Sequence, residues 1–116
     1  MREEKHRFDF CVVGGGMAGL IAAISAARHG AKVALVHDRP VLGGNASSEV
    51  RMHVSGAHGK NMRETGVLEE VVLENHYRNP QPNYSIWDSV LYGKVQYQED
   101  LTQFLNCSVN RCTMDG

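Results

Sequence analysis

Residues 8–36, FDFCVVGGGMAGLIAAISAARHGAKVALV, decide the fold. The run Phe8–Val13 is short, apolar on both faces and rich in β-formers, the pattern of a central strand in a parallel sheet. It ends in three glycines. From Met17 to Arg28 almost every residue is a good helix former, and His29-Gly30 supplies a C-terminal stop. Gly19, Ala23, Ala26 and Gly30 fall at helical spacing, which leaves one face with little side-chain bulk and lets it lie close against a sheet. Lys32–Val36 then reads as a second strand. Strand, tight turn, helix and strand make a βαβ unit with a right-handed crossover. The fold class expected is therefore α/β, a Rossmann-like dinucleotide-binding domain.

Composition narrows the classes around this unit. The hydrophobic share of 42% and charged share of 22% are those of a folding sequence, and 116 residues leave room for one domain at most. Twelve Lys and Arg against 13 Asp and Glu give a net charge of −1, so no global positive field gathers nucleic acid or anionic lipid. The start MREEKHRFDF has no apolar leader core, and no uncharged apolar stretch reaches membrane-spanning length. A cytoplasmic protein with no membrane or nucleic-acid partner is the expectation. Cys11, Cys107 and Cys112 are odd in number and form no CxxC pair, which speaks against a disulfide framework or a zinc site. Cys11 is expected to be a buried strand residue.

Outward from the βαβ unit, residues 41–60 are rich in Gly, Ser, Asn and Ala without periodicity and read as a long loop of the kind that serves a ligand. Residues 63–77 carry Leu68, Val71 and Val72 on one side and Glu69, Glu70 and Glu74 on much of the other, an amphipathic helix ended by Asn79-Pro80-Gln81-Pro82. Ser85 and Asp88 have capping-box spacing ahead of a helix expected from Ile86 to about Gln98. Periodicity alone leaves Leu101–Leu105 open between helix and strand.

The turn Gly14-Gly15-Gly16-Met17-Ala18-Gly19 satisfies GxGxxG directly after a strand and at the opening of a helix. Gly14 permits the tight turn, Gly16 removes a side chain that would block a pyrophosphate, and Gly19 lets helix and strand approach. The pyrophosphate is then expected on free N–H groups at the positive helix end. The fingerprint next calls for an acidic residue at the end of the second strand, to accept from the adenosine ribose hydroxyls. Here position 37 is His37 and the carboxylate arrives one place later as Asp38. Either Asp38 takes the ribose role, or His37 makes a weaker contact and Asp38 is solvated. The general preference for an acid favours Asp38.

The stretch FDFCVVGGGMAGLIAAISAARHGAKVALVHDRPVLGGNASSE resembles the N-terminal FAD-binding segment of the FAD-dependent oxidoreductase family that includes heterodisulfide reductase-like proteins. The Gly43-Gly44 doublet after the second strand is the most telling part, since in such flavoproteins it lets the loop pass close to FAD. The resemblance implies FAD as cofactor and partner, with Gly14, Gly16, Met17, Ala18, Gly19, Asp38, Arg39, Gly43, Gly44 and Asn45 facing it. It also implies that Leu101–Leu105 is a third parallel strand and that Val109–Met114 opens a small meander. The parent is then an oxidoreductase of which these residues are the first part of one FAD-binding domain, and the 116 residues alone are expected to show little turnover.

Dithiol flavoenzymes place a redox cysteine pair soon after such a doublet, and Asn45–Glu49 has none, so disulfide reductase chemistry from this segment is not expected. Glu49, Arg51, His53 and His58 lie in the same loop, and a histidine there could move protons near neutral pH. Solvated or structural roles are the expectation for these four, and no catalytic residue and no metal ligand is assigned. Two rival readings stand beside the flavin one. In an NAD(P)-binding dehydrogenase domain Arg39 would meet a 2′-phosphate. A non-catalytic remnant would bind a partner, or a second copy of itself, through an unpaired sheet edge.

Overall fold

The computed structural model describes residues 1–116. Three parallel strands, β1 (Phe10–Val13), β2 (Val33–Val36) and β3 (Leu101–Phe104), lie in the order β1-β2-β3. Phe10 stands opposite Val33 and Val13 opposite Val36, while Val33 and Val36 stand opposite Leu101 and Phe104. Helix α1 (Met17–Arg28) joins β1 to β2, and α2 (Gly66–Arg78) and α3 (Tyr84–Gln96) precede β3. Both crossovers move the same way along the sheet, so right-handed connections bring α1 and α3 to one face. The core is on that face: Leu20, Ile24, Leu91 and Val95 from the helices close over Val33, Leu35 and Leu101 from the strands.

Strand alternation sends Ala34, Val36, Thr102 and Phe104 to the other face. No helix covers it. The rings of His6 and Phe8 in the N-terminal segment lie against Phe104, with centroids 5.3 and 6.0 Å away, and Lys32 Nζ stands over Phe8. This explains two departures from the sequence reading. β1 is an edge strand, with Phe10 52% and Val13 62% exposed, where a central strand is expected. Cys11, expected to be buried, is exposed, because it sits on that edge and points away from the helices.

Other differences are local. The packing stripe of α1 is Leu20, Ala23, Ile24 and Ala27, rotated from the small-residue stripe of the sequence, because the helix must also meet α2 and α3. Asn83, not Ser85, caps α3, its side chain accepting from the N–H groups of Ser85 and Ile86 at 2.8 and 3.4 Å. Residues 107–116 form no strand where a meander is expected; their backbone tie to the sheet is the bond from Cys107 N–H to the His37 carbonyl at 3.0 Å. Leu101–Phe104 does form the third parallel strand. No helix is long and apolar enough to cross a membrane.

The three helices are tied by ion pairs. Glu70 accepts from both terminal nitrogens of Arg28 at 2.8 Å and from Lys94 Nζ at 2.8 Å; Lys94 also reaches Glu74 at 2.6 Å. Arg28, and after it Lys94, hold the Glu70 carboxyl down to about 2 from its ordinary 4.5. A carboxylate with a depressed folded-state pKa stabilises the fold above its ordinary value, and that contribution is lost as the pH falls toward the folded value. Thermal melts from about pH 6 to about pH 2 should therefore show a fall in Tm beginning near 4.5. Glu70→Gln should lower the neutral-pH stability by only about 1 kcal/mol, since Glu70 and Arg28 are each over a third exposed, and should flatten the acid limb. An acid limb of unchanged steepness in that variant would show that other groups carry it.

Candidate functional site

The C-terminal ends of β1 and β2 and the start of α1 meet at one point, the usual place for a ligand in an open α/β sheet. β1 runs straight into Gly14, whose N–H donates to the Val36 carbonyl at 2.8 Å and whose φ of +106° only glycine adopts without strain. The chain then turns into α1 so tightly that a Cβ on Gly19 would lie 1.8 Å from the Gly14 carbonyl oxygen. A Cβ on Gly16 would meet nothing within 4 Å. Gly16 caps α1 without a side-chain hydrogen bond, and the first intrahelical bond is from Leu20 N–H to its carbonyl, so the N–H groups of Met17, Ala18 and Gly19 have no partner within the helix. Met17 is half-buried against the core and Ala18 is exposed.

The loop after β2 closes onto this turn. Gly43 N–H donates to the Gly15 carbonyl at 2.8 Å, Gly43 pairs with Gly16 in an isolated parallel bridge, and a Cβ on Gly44 would come within 3.2 Å of Gly16 Cα. The doublet thus packs on the glycine turn itself. It opens a short 3-10 turn, Gly44–Ala46, in which Asn45 is exposed. Helix α3 holds the loop from beneath: Trp87 Nε1 donates to the Ala46 carbonyl at 2.9 Å, and Asp88 accepts from Ser48 N–H at 3.0 Å. Asp88, read from the sequence as half of a capping box, has this task instead.

At the end of β2 the two neighbours separate. His37 is buried, its side chain 9% exposed, while the Asp38 side chain is 65% exposed. His37 Nδ1 accepts from Gly15 N–H at 2.9 Å. Arg39 is engaged by Glu49, its Nε 3.0 Å from Oε2. The guanidinium hydrogen bonds hold the Glu49 carboxyl below the ordinary carboxylate range and raise Arg39 in turn. Of the remaining loop residues, Arg51 Nε donates to the Ser48 carbonyl at 3.2 Å and His58 Nδ1 lies 3.1 Å from the Gly56 carbonyl, both exposed and local. His53 lines a cleft of about 320 Å³ with His76, Asn75, Tyr84 and Trp87. A cleft of about 500 Å³ lies elsewhere, around Arg28 and Lys94, and contains none of the expected site residues. No group of three or more His, Cys, Asp or Glu side chains is placed to hold a metal ion.

A family profile described as FAD dependent oxidoreductase matches residues 9–116. The chain belongs to the FAD-dependent oxidoreductase family. FAD is the cofactor that defines this family. The match is to the family as a whole and does not resolve the heterodisulfide reductase-like branch within it. Among relatives, the soluble pyridine nucleotide transhydrogenase of Chromohalobacter salexigens is 50% identical over 42 residues, covering 36% of this chain and 9% of that protein. The glycerol-3-phosphate dehydrogenase of Mycobacterium leprae is 37% identical over 68 residues, 59% of this chain and 12% of that one. The chain thus matches only about a tenth of the length of these relatives. The crystal structure of Thermovibrio ammonificans THI4 superposes with a TM-score of 0.52 at 20% identity over 84% of this chain and 38% of that one, a likeness of fold.

The geometry separates two glycines of one motif. Gly19→Ala should cost about 3 kcal/mol, because the Gly14 carbonyl is backbone and cannot move aside, and the Tm should fall by about 10 °C or more. Gly16→Ala, with open space at its Cβ and φ of −65°, should stay within about 0.5 kcal/mol. Equal melts for the two variants would contradict the packing described.

Proposed function

We propose that this chain binds the adenosine diphosphate part of FAD at the Gly14–Gly19 turn, as the first part of the FAD-binding domain of an FAD-dependent oxidoreductase. The observation that carries the reading is the open space at Gly16, where a Cβ would meet nothing within 4 Å, beside the N–H groups that open α1 and have no partner within the helix. That is the cradle a diphosphate requires: donors fixed by the helix, a favourable dipole and no side chain in the way. Gly14, Gly16, Met17, Ala18 and Gly19 supply backbone there. Asp38, solvated at the end of β2, is the acceptor for the ribose hydroxyls, and Gly43, Gly44, Asn45 and Arg39 border the same mouth. When bound, the isoalloxazine supplies hydride or two-electron chemistry, while the residues here hold and orient the cofactor. Cytoplasmic location belongs to this proposal, as do the oxidoreductase activity and its substrate.

The engagement of Arg39 by Glu49 speaks against the dehydrogenase reading, since a 2′-phosphate would have to compete with that carboxylate for the guanidinium. Purified protein with flavin bands near about 370 and 450 nm is the expected spectrum, and uptake of a nicotinamide dinucleotide alone would favour the rival. In FAD titrations of the full-length protein, Gly16→Val should abolish binding by steric exclusion with the circular dichroism spectrum unchanged. Asp38→Asn should weaken binding about ten- to thirtyfold, which is about 1 to 2 kcal/mol, because the amide keeps one acceptor. Wild-type affinity in Gly16→Val would overturn the assignment.

A further inference from the structure

Two oddities of the sequence meet in one contact. GxGxxG leaves its second position free, yet that position is a third glycine, Gly15. The end of β2 generally carries an acid, yet it carries His37. A Cβ on Gly15 would lie 2.9 Å from His37 Cγ and 2.6 Å from Leu42 Cδ2, so the imidazole occupies the volume that any larger residue at 15 would need. Across this gap Gly15 N–H donates to His37 Nδ1 at 2.9 Å. The backbone of His37 is itself fixed, its N–H donating to the Phe104 carbonyl and its carbonyl accepting from Cys107 N–H.

We propose that His37 is a positioning residue for the cofactor turn: its neutral imidazole holds Gly15 in place through Nδ1 and, being spent on that bond, leaves the ribose contact to Asp38. This rests on the FAD reading above. An Nδ1 that accepts carries no proton, so the ring is the neutral tautomer with hydrogen on Nε2. Nε2 is buried with no partner in the chain, which marks the ring as placed for what Nδ1 does. Neither neighbouring carboxylate hydrogen-bonds the imidazole: Asp38 Oδ1 lies 3.9 Å from Nδ1, and Glu49 is bound to Arg39.

The test is made on the full-length protein by FAD titration at neutral pH, with the Gly15 amide followed by NMR in the cofactor-free protein. His37→Asn, whose Oδ1 stands where Nδ1 does, should bind within about threefold of wild type and leave the Gly15 amide near its wild-type position. His37→Phe, which keeps the bulk and loses the acceptor, should bind about tenfold more weakly and shift the Gly15 amide. The proposal is overturned by wild-type affinity in the Phe variant, or by an Asn variant that binds as weakly as the Phe variant. Should the Phe variant not fold, the Asn variant decides alone, and affinity well below about a third of wild type overturns the proposal. A wild type that takes up no FAD while the Phe variant still shifts the Gly15 amide overturns the FAD reading and the cofactor role, and leaves the His37–Gly15 bond standing.

Discussion

The van der Waals contact between Gly19 in the first turn of α1 and the carbonyl of Gly14 is the constraint on which the rest depends. It brings the start of the helix directly over the end of β1. From there the helix runs down the sheet with Leu20 and Ile24 over Val33 and Leu35, and the stop at His29-Gly30 returns the chain into β2. With that geometry set, Gly16 keeps open space where a side chain would stand, and the loop after β2 lands against Gly15 and Gly16. A larger residue at 19 would push the helix away and undo each of these relations together.

The site is then braced from two directions. β2 supplies His37 from beneath the turn, and α3 supplies Trp87 and Asp88 beneath the glycine-doublet loop. These bonds join side chains 22, 41 and 40 positions from their backbone partners, so the loop conformation depends on the sheet and α3 being in place. The Glu70, Lys94, Arg28 and Glu74 network has a related task one layer further out. It fixes α2 against α1 and α3 with little buried apolar area of its own, Val71 being the one fully buried residue of α2.

The second face of the sheet, which no helix covers, sets the limits of this arrangement. In a doubly wound fold both faces of a parallel sheet are covered, because its strands are apolar on both sides. Here the covering on one side is the aromatic contact of His6 and Phe8 with Phe104, and β1 keeps Phe10 and Val13 in solvent.

By itself the sequence determined whatever depends on neighbours within a few positions. The glycine spacing, the helix formers from Met17, the stop at Gly30 and the β-branched run at β2 each act locally, so the βαβ unit, its parallel sheet and the glycine turn could be read before any packing was known. The family resemblance came from the same contiguous stretch. Only the tertiary structure decided matters that hang on partners remote in sequence. Whether β1 is central or at an edge depends on which strands flank it, and Cys11 is exposed because it sits on that edge and points away from the helices. Whether His37 or Asp38 faces solvent depends on the twist at the end of β2 and on the space left by Gly15. Asp88 had local capping spacing, yet Asn83 took the cap, and the carboxylate was left free to hold Ser48 from 40 residues away. A side chain chooses among partners of similar chemistry by proximity, and proximity across the chain is set only when the sheet and helices have closed on one another.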